Sequence, residues 1–155
     1  MTKQKVLITA GASGIGYATA LAFSSRGADV TVADIDNEGL NRLHLEHPGI
    51  RTAVCYVSDR RGLELDIAVI IEAMGGLDVL VNNAGVSGPT APVEQLEPDE
   101  WDKVMQINLK VPSTLRAWPS LRSNVRYTPQ SLTCLLLRAD WATQIAPPTR
   151  PVNEG

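Results

Sequence analysis

Short apolar runs alternate with longer segments of mixed polarity along the first 110 residues. The apolar runs predict strands at 5–9, 29–33, 51–57 and 77–81, because a continuous apolar run between turn residues is typical of a strand covered on both faces. The segments between them predict helices at 15–26, 37–47 and 58–74, and a further helix begins at Pro98 with acidic residues in its first turn. Strands that alternate with helices in this way predict an α/β fold with a parallel sheet.

The pattern changes near Lys110. Residues 1–110 hold 9 basic and 15 acidic residues, whereas residues 111–155 hold five arginines, no lysine and two acids. Prolines at 112, 119 and 129 interrupt any long helix. We therefore predict a folded domain over 1–110 and a divergent tail over 111–155, mostly irregular, with one short helix at 131–141. The break suggests a coding-frame change or a truncated gene.

Composition excludes several classes of function. The net charge is −3, which favours neither nucleic acid nor an anionic membrane as a partner. The chain shows no signal peptide and no apolar stretch long enough to cross a bilayer, so we expect a cytoplasmic protein. His44 and His47 lie one helical turn apart without a third ligand, and Cys55 and Cys134 fit no metal spacing, so we expect no metal site.

A glycine-rich turn follows the first predicted strand and opens a helix. Gly11, Gly14 and Gly16 in that turn allow the backbone to approach a pyrophosphate, which the free N–H groups of the helix start would bind. Asp34 ends the second strand about 20 residues later, where a carboxylate accepts ribose hydroxyls. Because residues 33–41 contain no Lys or Arg for a 2′-phosphate, the sequence favours NAD over NADP. A plain turn at the glycines, and a turn or cap role for Asp34, remain open, with Asp36 as a weaker ribose candidate.

Two groups of amide side chains are further candidates. The run from Asn82 to Gly85 follows the fourth strand, where amides would tie strand ends together and line the cleft, or serve only the turn. Asn108 shares a helix face with Trp101, Val104 and Met105. Its amide would either order a water chain at an active site or be satisfied by backbone groups in the core.

Together these residues resemble the short-chain dehydrogenase/reductase family over roughly residues 3–110. The resemblance implies a partial Rossmann fold with a parallel sheet of about four strands in the order 3-2-1-4, flanked by helices. It also implies hydride transfer between NAD(P) and an alcohol or ketone, with Asn108 at the catalytic site. Family members are mostly dimers or tetramers through helices that include the one at 98–109, but the prolines after it weaken this expectation. The implied coenzyme contacts are Gly11, Ser13, Gly14, Ile15, Gly16, Asp34, Ile35, Tyr56, Val57, Asn83, Ala84 and Gly85.

The chain departs from the family pattern at three places. Ala10 stands where a glycine is usual, and Tyr56 replaces a short polar residue that binds the adenine amino group, which implies weaker adenine binding. No Tyr-x-x-x-Lys motif is present, and no strand with the expected Ser is recognisable. We therefore expect an oxidoreductase of this family with impaired catalysis. The alternative is a non-catalytic dinucleotide-binding remnant or an interaction module.

Overall fold

The computed structural model describes residues 3–56, 60–110 and 132–133. A parallel sheet forms the centre of the fold, with strands β1 (Lys5–Thr9), β2 (Asp29–Asp34), β3 (Arg51–Val54) and β4 (Val79–Asn82) in the order β3-β2-β1-β4. The two-residue strand β5 (Leu132–Thr133) pairs with the outer edge of β4. The α/β class and the strand order 3-2-1-4 are thus confirmed.

Helices cover both faces of the sheet. They are α1 (Gly14–Ser25), α2 (Asn37–Glu46), α3 (Arg60–Met74) and α4 (Pro98–Met105), with a 3-10 turn at Val93–Gln95 and a π-helical turn at Gln106–Lys110. Helices α1 and α2 pack on the face that carries Val6 and Val32, whereas α3 packs on the opposite face, which carries Leu7. Val6, Leu7 and Ile8 are all fully buried, so β1 needs a continuous apolar run rather than an alternating one.

Most predicted ends agree with the structure within two residues, and two predicted elements differ by more. The third strand was expected over 51–57, but β3 ends at Val54, opposite Asp34, where its partner β2 also ends. Within the described residues, one further backbone bond follows that pair, from the Cys55 N–H to the Asp34 carbonyl. The helix expected over 131–141 is wrong at its start, because Leu132 and Thr133 pair in parallel with Val81 and Asn82. The rest of that prediction, and the irregular tail, lie outside the described residues.

Within residues 3–56, 60–110 and 132–133, no helix is long and apolar enough to cross a membrane, and no cluster of three metal-ligating side chains is found. Cys55 is a buried free thiol, and Cys134 lies outside the described part.

Candidate functional site

The carboxyl ends of β1 and β4 lie at the point where the order of strands in the sheet reverses direction. From β1 the chain proceeds to β2 on one side, whereas β4 lies on the other side of β1. Helices α1 and α2 pack on one face of the sheet and α3 on the other, the arrangement that leaves a crevice beyond the strand ends in open parallel sheets. The turn after β1 lies at this crevice, and this is the position where open parallel sheets bind ligands.

The start of α1 is open to solvent and suited to an anion. Its N-cap residue Ser13 makes no side-chain capping bond, and the first turn contains no acidic residue. The first helical bond runs from the Tyr17 N–H to the Ser13 carbonyl, so the amides just before Tyr17 lack an intrahelical acceptor. Gly14 is exposed with φ of 56°, and a Cβ there would meet nothing within 4 Å. The helix start therefore offers free donors and room for a phosphate group.

Two of the three glycines of this turn are required by packing inside the protein. A Cβ on Gly16 would lie 2.5 Å from both the Ala10 carbonyl oxygen and the Asn83 Nδ2. A Cβ on Gly11 would lie 2.8 Å from Val32 Cγ1. Gly11 and Gly16 thus let α1 and its turn approach the strands, while Gly14 faces the open side.

Ala10 takes the backbone conformation of a glycine. Its φ is 51°, in the left-handed region that side chains with a Cβ disfavour. Its N–H donates to the Ala33 carbonyl at 2.7 Å, and its carbonyl accepts from Asn83 Nδ2 at 2.7 Å. Both backbone groups are fixed by neighbouring strands, so the surrounding structure holds the strained conformation in place.

Asp34 joins the end of β2 to the glycine turn. Its Oδ2 accepts the Ala12 N–H at 2.9 Å, and its Oδ1 accepts the Asp36 N–H at 3.0 Å. Asp34 therefore does stabilise the turn, which was one of the two roles the sequence left open for it. Each of its carboxylate oxygens can still accept a second hydrogen bond. Asp36 instead caps α2, since its Oδ1 accepts the Gly39 N–H at 3.0 Å and its Oδ2 lies 3.6 Å from Arg42. Of the two acids, Asp34 is the one beside the crevice.

The sequence interpretation missed Thr9. Its buried hydroxyl accepts the N–H groups of Asn83 and Ala84 at 3.1 and 3.2 Å and donates to the Val81 carbonyl at 3.4 Å. Together with the bond from Asn83 to Ala10, these contacts fasten the turn after β4 to the end of β1. The expectation that amides tie the strand ends together is thus confirmed for Asn83. No local pattern marks Thr9, because its partners are more than 70 residues away.

Side-chain carbonyl groups remain unpaired in the same region. The Oδ1 atoms of Asn82 and Asn83 are buried and have no partner among the described residues. Gly85 is half-buried just beyond them. A buried acceptor without a donor is costly, so this turn has capacity for a ligand's hydroxyl or amide donors.

Asn108 lies in the π-helical turn that continues α4. Its Oδ1 accepts the Val86 N–H and its Nδ2 donates to the Val86 carbonyl, both at 2.9 Å. The amide is thus satisfied by backbone, one of the two alternatives left open. The interpretation that Asn108 shares a buried helix face with Trp101, Val104 and Met105 is wrong, because no residue of α4 is buried and Trp101 is 43% exposed. The π-helical turn shifts the helix phase, so Ile107 is the buried residue there.

Exposed side chains follow the ends of β2 and β3. Ile35 is 60% exposed and Tyr56 is 51% exposed. Between them the Cys55 N–H donates to the Asp34 carbonyl at 2.9 Å, so the two strand ends stay paired. Burial, with smaller contributions from Asp66, raises the pKa of the Cys55 thiol to about 12, so it remains a neutral core residue. Ile15, in the first turn of α1, is 52% exposed, and Val57, another predicted contact, lies outside the described residues.

The two histidines contribute nothing to the crevice. His44 is exposed on α2, as expected for a surface residue. His47 Nε2 lies 3.2 Å from the Tyr17 hydroxyl, which donates to Glu46 at 3.0 Å. That hydrogen bond raises the pKa of Tyr17, with smaller contributions from burial and the Glu46 charge. This cluster links α1 to the far end of α2.

Known proteins resemble this chain over most of the described region. Residues 4–117 match the family described as short chain dehydrogenase. The chain is 41% identical over 108 residues to the 3-oxoacyl-(acyl-carrier-protein) reductase FabG of Thermotoga maritima, covering 67% of this chain and 44% of that protein. It is 37% identical over 115 residues to levodione reductase of Leifsonia aquatica, covering 70% and 43%.

A solved structure shows the same arrangement of the chain. The 3-ketoacyl-(acyl-carrier-protein) reductase of Brucella melitensis, complexed with NADH, superposes with a TM-score of 0.67 at 27% identity. The superposition covers 73% of this chain and 47% of that one. The chain therefore spans less than half the length of these three relatives.

Proposed function

Because this chain belongs to the short-chain dehydrogenase/reductase family, we propose that it binds NAD in the crevice between the glycine turn, Asp34 and the run from Asn83 to Gly85. The observation that carries the proposal is the open, uncapped start of α1 beside the Asp34 carboxylate. Free helical N–H groups suit the pyrophosphate, and the second acceptor sites of Asp34 suit the ribose hydroxyls.

The preference for NAD over NADP follows from charge. A 2′-phosphate at the ribose would meet the Asp34 carboxylate, which repels it. Arg42 is the first cation after Asp34 in the sequence, and its guanidinium lies 3.6 Å from Asp36 Oδ2 on the exposed side of α2. We therefore expect weaker binding of NADP.

The proposed reaction is hydride transfer between the coenzyme and an alcohol or ketone, the reaction class of the family. Bound NAD supplies the nicotinamide ring as hydride acceptor. The chain's own residues hold the coenzyme, and Asn108 fixes the backbone at Val86 near the end of β4. The 155 residues contain no Tyr-x-x-x-Lys motif to deliver or remove the substrate proton. Loss of general acid–base catalysis lowers rates by about 10²–10⁴-fold, so we propose that these residues alone turn over slowly.

Calorimetric titration of the full chain tests the binding proposal. NAD should bind in the wild type, and Asp34→Asn should weaken NAD by about tenfold, the effect of losing a charge-assisted hydrogen bond. The variant keeps one of the two oxygens that accept backbone N–H groups in the turn and replaces the other with an NH2 group, so circular dichroism should first show that it is folded. It should also reduce the difference in affinity between NAD and NADP. Asp36→Asn, on the cap of α2, is the matched control and should bind NAD as the wild type does. A folded chain that shows no heat with millimolar NAD refutes the proposal.

A second candidate function is a dinucleotide-binding module without catalysis, which the missing Tyr-x-x-x-Lys motif favours. The two functions predict the same NAD titration and differ in turnover. Steady formation or consumption of NADH above background, with a panel of alcohols and ketones and pure protein, supports the enzyme. Binding without any turnover supports the module.

A further inference from the structure

The proposed crevice crosses the ends of three strands in spatial order. The phosphate position at α1 follows β1, the ribose acceptor Asp34 ends β2, and β3 lies next in the sheet. Parallel strands are about 4.8 Å apart, close to the size of one sugar or base. A dinucleotide that uses both sites therefore extends its base over the end of β3.

An exposed aromatic side chain, Tyr56, lies two residues beyond the end of β3. Tyr56 stands one residue beyond Cys55, whose N–H is bonded to Asp34, so Tyr56 directly follows the ribose position. It is 51% exposed, and its hydroxyl has no hydrogen bond within the described part of the chain. Ile35, 60% exposed, follows Asp34 on the neighbouring strand. Two large exposed side chains at adjacent strand ends form an apolar surface where the base would arrive.

We propose that Tyr56 is the base-stacking residue of this crevice and that it binds the base through ring contact rather than through its hydroxyl. This inference rests on the proposed NAD binding. The phenol oxygen lies in the plane of the ring, so it does not point toward a base that stacks on the face of the ring. The other heteroatom nearby, the Cys55 sulfur, is buried in the core on the α3 side. Stacking is tolerant of base identity, because every base presents a π-face.

Three substitutions in the full 155-residue chain test this by NAD titration. Tyr56→Phe keeps the ring and should bind NAD within about twofold of the wild type. Tyr56→Ala removes the ring and should weaken NAD by about 5- to 100-fold, the usual effect of a lost base–aromatic stack. Leu45→Ala, at an exposed apolar residue near the C-terminal end of α2, is the control and should have no effect.

Tyr56→Asp adds a test of base identity. A carboxylate at this position can accept the adenine amino group, which hypoxanthine lacks. The ratio of dissociation constants for nicotinamide hypoxanthine dinucleotide and NAD should therefore be several-fold smaller in the wild type than in Tyr56→Asp.

The outcomes separate this inference from the proposal beneath it. If the wild type binds no NAD, the proposed function and this inference both fail. If the wild type binds NAD and Tyr56→Ala binds equally well, only the stacking role is overturned. Weakening by Tyr56→Phe as large as that by Tyr56→Ala also overturns it, since the hydroxyl would then be the binding group.

Discussion

Two buried threonines on neighbouring strands should respond oppositely to the same substitution. Thr9 on β1 is 1% exposed, and its hydroxyl is the acceptor for the N–H groups of Asn83 and Ala84. Thr31 on β2 is 4% exposed, and its hydroxyl has no partner among the described residues. Valine has nearly the same shape as threonine, so each substitution removes the hydroxyl and little else.

The expected magnitudes follow from hydrogen bonding. Thr9→Val leaves two buried amide groups without an acceptor, and an unsatisfied buried donor costs about 1–3 kcal/mol. We expect the free energy of unfolding to fall by about 2–4 kcal/mol. Thr31→Val removes a buried hydroxyl that gains no bond, so the free energy of unfolding should rise by about 1 kcal/mol.

Equilibrium unfolding in urea, followed by circular dichroism, measures both changes. With a slope of about 2 kcal/mol per molar urea, the midpoint should fall by about 1–2 M for Thr9→Val and rise by about 0.5 M for Thr31→Val. If Thr31→Val destabilises the protein as much as Thr9→Val, the reasoning is refuted, because side-chain shape rather than hydrogen bonding would then control both sites.

Two further predictions concern the glycine turn and the core thiol. Ala10→Gly should raise the free energy of unfolding by about 0.5 kcal/mol, because relief of the left-handed backbone (about 1–2 kcal/mol) exceeds the added entropy of the unfolded chain. The control Ala18→Gly, at an exposed position of α1, should lower the free energy of unfolding by about 0.5–1 kcal/mol. Equal losses of stability for the two variants in urea unfolding would contradict the strain at Ala10. In a Cys134→Ser background, Cys55 should react with a disulfide reagent at pH 8 only as fast as the chain opens, and rapid labelling of folded protein would contradict its burial. Because the folded pKa of Cys55 is raised to about 12, its contribution to stability is full below about pH 8.5 and is lost as the pH rises towards 12.

The fold was readable from the sequence because its signals are local. Each strand of a sheet covered on both faces must be apolar throughout, and the run from Val6 to Ile8 shows this directly. Glycine and proline mark the ends of elements, because few other residues fit left-handed or donor-free positions. The glycine turn and Asp34 could be identified because a helix start and a strand end fix their neighbourhood within about 20 residues.

Long-range contacts decided the rest. The length of β3 depended on where β2 ends. The direction in which the Asn108 side chain points depended on a π-helical turn that the spacing of apolar residues does not indicate. Ala10 takes a glycine's conformation only because groups on two other segments hold both of its backbone polar groups.

What the sequence by itself determined, therefore, is the order of elements, the parallel sheet and the residue types at the proposed nucleotide crevice. What only the tertiary structure decided is which of those residues serve the fold and which face the open side. Gly16 and Asn83 meet inside the protein, whereas Gly14, Ile35 and Tyr56 remain exposed around the crevice. The physical reason is that a side chain's partners are set by strands brought together from distant parts of the chain, and its residue type alone does not contain that information.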